Sequence, residues 1–203
     1  MARLVIPGWT NSGPEHWQSL WERDQRGFRR VQQRDWDHPD RAEWVRTLDA
    51  AIRSESEPPV LVAHSLGCIA VAHWAAAHDR PIAGALLVAP ADVERPDAPE
   101  PIRNFAPVPL AVLPFPAIVV ASSDDPYLDP ERAAHFARCW RARLVDLGAA
   151  GHINTDAGFG PWPRGLELLA ELDRRREADP GHAPHRATRP RREVPDLSAG
   201  RRV

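Results

Sequence analysis

The stretch Val60–His78, VLVAHSLGCIAVAHWAAAH, interrupts an apolar run with His64-Ser65 and places a glycine two positions after the serine. Packing explains neither choice, since a hydroxyl adds nothing to a buried strand and Gly67 weakens the first turn of a helix. Ala63-His64-Ser65-Leu66-Gly67 fits instead the Gly-x-Ser-x-Gly turn between a strand and a helix, with alanine at the first small position. Such a turn lifts the hydroxyl above the sheet and aims the Leu66 N–H at a developing oxyanion. Taken alone, these five residues also suit a serine N-cap followed by a tolerated glycine. His64 is expected to pack beside the turn rather than to act as a second base.

A serine nucleophile in this setting needs an acid and a histidine later in the chain, in the order Ser, Asp/Glu, His. His73 and His78 belong to the helix after the serine, His135 lies inside another helical pattern, and His182 and His185 fall near the C-terminus. Only His152, in GAAGHIN, sits in a glycine-bearing loop just past a strand. The acid should end the preceding strand, where AIVVASSDDPY supplies Asp124 and Asp125. Asp125, directly before Pro126, is the choice, and Asp124 remains a competitor. Neutral His152 would take the Ser65 proton, and Asp125 would hold the imidazole tautomer and stabilise the imidazolium. The second oxyanion donor is expected from the loop PGWTNSG, where the Trp9 N–H follows Gly8.

These groups need a scaffold that brings strand ends together. Strands are expected at Arg3–Ile6, at Phe28–Trp36 (weak), in PVLVAH, AGALLVAP and AIVVASS, and in RLVDLG. Helical patterns alternate with them: Glu15–Gln25, Asp40–Ser54, Leu66 to about His78, a segment opened by Asp129-Pro130-Glu131 with Asp129 as N-cap, and PRGLELLAELDRRR. Continuously apolar inner strands between helices imply a mostly parallel sheet covered on both faces, with ligands at the strand C-termini. Arg95 to Pro116 is proline-rich and is expected to cross the surface without regular structure while shaping the pocket.

The 203 residues suggest an α/β domain over 1–176 and an Arg/Pro-rich, disordered tail over 177–203. A net charge of −2 argues against a general nucleic-acid role. Cys68 and Cys139 fit no metal spacing and no disulfide framework. No signal peptide and no membrane span are apparent, so a cytoplasmic location is expected. No sequence feature calls for a metal or a nucleotide cofactor. Trp17, Trp21 and Trp44 sit at helical spacings that suit core packing. Trp9 either walls an acyl pocket or packs over the serine turn, and His16 is read as support for the first loop.

With these motifs in hand, the sequence resembles the small α/β-hydrolases of the retinoblastoma-binding-protein-9/YdeN type. PGW, SGPEHWQ, HSLGC, VAPADVE, LPFPAIVVASSDDPY, GHIN and GFGPWPRG carry the resemblance in order, from about Arg3 to Leu172. It implies a minimal α/β-hydrolase fold without a large lid domain and a triad on Ser65, Asp125 and His152. It favours Asp125 over Asp124, because the family's acid stands before the proline of DDP. Hydrolysis of a carboxylic ester or amide through an acyl-enzyme follows as the expected activity, carboxylesterase-like and acting on a small molecule. Two other readings stand beside it: an acyltransferase of the same fold, and a protein-binding role. A retinoblastoma-type contact needs Leu-x-Cys-x-Glu, and Leu66-Gly67-Cys68-Ile69-Ala70 lacks the acid.

Overall fold

The computed structural model describes residues 1–178. Strands and helices alternate along the chain: β1 (Arg3–Ile6), α1 (Trp17–Asp24), β2 (Phe28–Arg30), α2 (Arg41–Arg53), β3 (Val60–His64), α3 (Leu66–Ala77) and β4 (Gly84–Val88). There follow a 3-10 helix at Glu100–Phe105, β5 (Ala117–Ala121), α4 (Pro130–Trp140), β6 (Arg143–Asp146) and α5 (Pro163–Ala178). The strands form one sheet in the order β2-β1-β3-β4-β5-β6, every neighbouring pair parallel. The chain first steps outward from β1 to β2 and then returns to place β3 on β1's other side. The carboxyl ends of β1 and β3 therefore flank the point where the winding reverses, where open α/β sheets bind ligands.

The central strands are apolar because both their faces are covered. Every residue of β3, β4 and β5 is buried. One core joins the sheet to α2, α3 and α4 and includes Leu48, Ile69, Trp74 and Phe136; the other joins it to α1 and α5 through Trp17, Trp21, Leu168 and Leu172. α3 is apolar around most of its circumference, since it lies on β3 and beneath α2. Trp17, Trp21 and Trp44 are core residues as expected. No helix among the described residues is long and apolar enough to cross a membrane.

Two sequence expectations are corrected. β2 stops at Arg30 rather than running to Trp36. It pairs only with β1, which ends at Ile6 before a proline with no N–H to donate, and an Asp35 turn accepting the Asp37 and His38 N–H groups redirects the chain. The segment Arg95–Pro116 is not irregular throughout. The 3-10 helix buries Ile102 and Phe105, which stand three apart and so share one face, and His73 Nε2 bonds the Phe105 carbonyl at 2.7 Å. A smaller difference is that Asp129 does precede α4, but its side chain makes no capping bond. The expected tail lies outside the described residues, as do His182 and His185, apart from its first two residues, which continue α5.

Candidate active site

The serine turn forms where β3 passes into α3. Ser65 has φ 54° and ψ −123°, a conformation that costs a non-glycine residue on the order of 1–3 kcal/mol. Small neighbours make it possible. A Cβ on Gly67 would lie 2.3 Å from the Ile6 carbonyl oxygen, and one on Gly8 would lie 2.8 Å from Ser65 Cβ. Ala63 sits opposite Ile6 in the β1–β3 register. The Ser65 N–H is held by the Val88 carbonyl at 3.0 Å, which ties the turn to β4.

Three loops bring three side chains to this point. Ser65 Oγ lies 3.0 Å from His152 Nε2, and His152 Nδ1 lies 3.0 Å from both carboxylate oxygens of Asp125. The Asp125 side chain is fully covered and also accepts the Tyr127 N–H at 2.9 Å. Asp124 faces elsewhere: its Oδ1 accepts from the Ser122 hydroxyl and from the Gly151 N–H, both at 2.7 Å. Those bonds, the Ser122 hydroxyl foremost, hold the Asp124 carboxyl below its usual pKa. Asp124 thus fastens the loop that carries His152, while Asp125 meets the imidazole.

The loop after β1 closes the other side. Trp9 and Leu66 both border the cavity beside Ser65, and neither backbone N–H finds an acceptor among the described residues. The Trp9 indole donates to the Asp37 carbonyl at 2.9 Å, which fixes its ring as a wall. The cavity measures about 260 Å³. Arg95, Pro99 and Ile102 of the proline-rich segment also line it, and Tyr127 lies edge-on to His152 at 4.6 Å.

Other supports were not legible in the sequence. His64 Nε2 donates to the His152 carbonyl at 2.9 Å, so this residue does more than pack beside the turn. Burial holds its pKa well below the ordinary value, with His152 and His16 adding to the effect, so it is neutral. Fully buried Gln18 donates to the carbonyls of Ile6 and Val62 near the ends of β1 and β3, and accepts from Ser12. The Trp17 indole donates to the Ile153 carbonyl at 2.9 Å, pinning the residue after His152, which has φ 50°. SGPEHWQ and HSLGC contain these side chains, but the bonds themselves leave no mark, because most end on backbone carbonyls that any residue carries.

Residues 3–171 match the family described as serine hydrolase. A YdeN-like protein of Pectobacterium atrosepticum is 37% identical and superposes with a TM-score of 0.77, over 85% of this chain and 90% of that one. The ydeN gene product of Bacillus subtilis is 22% identical, with a TM-score of 0.71 over 85% and 98% of the two chains. Est1E of Butyrivibrio proteoclasticus shares the fold at 13% identity, with a TM-score of 0.61 over 89% and 88%. No curated protein matches the sequence.

Proposed function

The chain belongs to the serine hydrolase family, as a small YdeN-type member with the α/β-hydrolase fold, and from that premise we propose that it cleaves a carboxylic ester or amide through an acyl-enzyme on Ser65. The reading rests on one relay: Ser65 Oγ to His152 Nε2, and His152 Nδ1 to Asp125, at 3.0 Å each. His152 Nε2 takes the hydroxyl proton as Oγ attacks the carbonyl carbon. Asp125 holds the Nδ1–H tautomer and stabilises the imidazolium. The N–H groups of Leu66 and Trp9 receive the oxyanion, each contributing on the order of a hundred- to a thousand-fold in rate. Collapse of the tetrahedral intermediate expels the alcohol or amine, which leaves with the proton from Nε2. A water molecule then repeats the sequence on the acyl-enzyme and releases the carboxylic acid.

A cavity of about 260 Å³ beside Ser65 lies at the small end for ligand pockets, which supports small carboxylic esters as the first class to assay. A cytoplasmic enzyme using no metal or cofactor, with no nucleic-acid partner, belongs to the same proposal. The protein-binding alternative gains nothing from the structure, since Leu66, Cys68, Ile69 and Ala70 are fully buried. The test is labelling with a fluorophosphonate probe, wild type against Ser65→Ala, followed by a panel of p-nitrophenyl esters. Labelling lost in the variant together with ester turnover supports the reading. Folded wild-type protein that neither labels nor turns over any ester refutes it.

A further inference from the structure

His16 stands in the loop between β1 and α1, where the sequence suggests only a supporting role. It is 5% exposed, and its ring packs edge-on to His64 with centroids 4.8 Å apart. His64 in turn lies 4.8 Å from the ring of His152, so three imidazoles run from the first loop to Ser65. His16 also borders the cavity that contains Ser65.

The two nitrogens of His16 have different fates. Nδ1 accepts the Gln18 backbone N–H at 3.2 Å, capping α1. An imidazole that accepts at Nδ1 carries its proton on Nε2. Nε2 is covered from the cavity as well as from bulk solvent, and no atom among the described residues accepts its proton. A buried donor left unpaired is destabilising, so chains retain one where something else pairs it. Burial, aided by Arg30 and then by His152, lowers the His16 pKa to about 4. The ring is therefore neutral at physiological pH, a fixed donor and not a proton carrier.

We infer that His16 binds substrate: its Nε2–H donates to an acceptor oxygen on the ester or amide other than the scissile carbonyl. The inference rests on the hydrolase reading above and sharpens it, since the preferred substrate then carries an ether, hydroxyl or second carbonyl oxygen near the bond cleaved. Seating that oxygen against a covered nitrogen calls for a small side-chain adjustment in the cavity wall, of the kind common on binding.

The experiment compares isosteric esters that differ by one oxygen, on each side of the scissile bond. On the acyl side these are p-nitrophenyl methoxyacetate and p-nitrophenyl butyrate; on the alcohol side, methoxyethyl acetate and butyl acetate. The readout is the ratio of kcat/KM within each pair, and comparing variants cancels the intrinsic reactivity of the esters. His16→Asn keeps an oxygen to accept the Gln18 N–H and loses the distal donor, whereas His16→Gln keeps a donor at the distal position. In one pair the wild-type preference for the oxygen-bearing ester is expected to fall about tenfold in H16N, the factor of one neutral hydrogen bond, and to survive in H16Q. Ratios unchanged in H16N for both pairs overturn the inference, because a merely structural loss lowers both members alike. If H16N does not fold, His16→Ser decides, since its hydroxyl also caps α1 and leaves no distal donor: a ratio unchanged from wild type overturns the inference equally, and a lost preference supports it. Wild-type turnover of these esters with flat ratios removes only the role of His16. Wild-type protein that neither takes fluorophosphonate nor hydrolyses any of the four esters refutes the hydrolase reading itself.

Discussion

His64 and His152 are joined through a side chain and a backbone: the His64 Nε2–H donates to the His152 carbonyl at 2.9 Å, while the His152 ring reaches Ser65. The residue before the serine therefore helps fix the height of the imidazole above it. Removing that bond in His64→Ala should lower kcat for p-nitrophenyl acetate by roughly ten- to a hundred-fold, because small displacements of a base cost rate steeply. His64→Gln, which keeps a donor, should recover most of the loss. Steady-state kinetics on both variants, with melting curves as a control for folding, check this.

The two neighbouring aspartates should separate cleanly. Asp125→Asn removes the charge that meets His152 Nδ1 and should reduce kcat by about a thousand- to ten-thousand-fold. Asp124→Asn weakens only the bonds to Ser122 and Gly151 and should cost less than about tenfold. Equal losses in both would remove Asp125 from its proposed role.

Two glycines should respond very unequally to one methyl group. Gly67→Ala drives a Cβ to 2.3 Å from the Ile6 carbonyl oxygen and to 2.7 Å from that of Pro7, both backbone atoms that cannot step aside. Stability should drop by several kcal/mol, or the soluble yield should vanish. Gly13→Ala meets nothing within 4 Å and should change stability by less than about 1 kcal/mol. Urea denaturation of both variants tests the contrast.

Acid should weaken the fold through His16. Its pKa falls from 6.5 to about 4 on folding, so between those values the unfolded chain binds a proton that the native state refuses. Stability then rises with pH across this window, and the full penalty is present below about pH 4. The contribution is about 3 kcal/mol, and burial of His64 adds in the same direction. Urea unfolding of the wild type from pH 7 down to pH 4 should show the decline, and His16→Asn should make it shallower, with the part due to His64 remaining.

What the sequence disclosed follows from how local each signal is. The serine turn was legible because its small residues, Ala63 and Gly67, answer to a steric need within five positions. His152 followed from the alternation of strand and helix, which leaves one histidine in a loop beyond a strand. The 3-10 helix escaped notice because Ile102 and Phe105 make a single turn among prolines, too short for a helical period to emerge. The links from His64, Gln18 and Trp17 to backbone carbonyls leave no trace in residue type at the accepting end. The end of β2 depended on where its only partner stopped, a fact of pairing rather than of its own residues.

The segment between β4 and β5 supplies one wall of the cavity through Arg95, Pro99 and Ile102, yet contributes none of Ser65, Asp125 and His152. It is anchored at two places: on α3, where His73 bonds the Phe105 carbonyl, and beside Asp125, where Arg95 donates to the Pro126 carbonyl and the Asp92 N–H to that of Tyr127. In engineering terms its wall positions are unequal: Pro99 faces the cavity without belonging to the core, whereas Ile102 is also core and Arg95 also braces the loop of Asp125. Diversifying Pro99 alone would alter which molecules are admitted, while changes at Arg95 or Ile102 would reach turnover or folding as well.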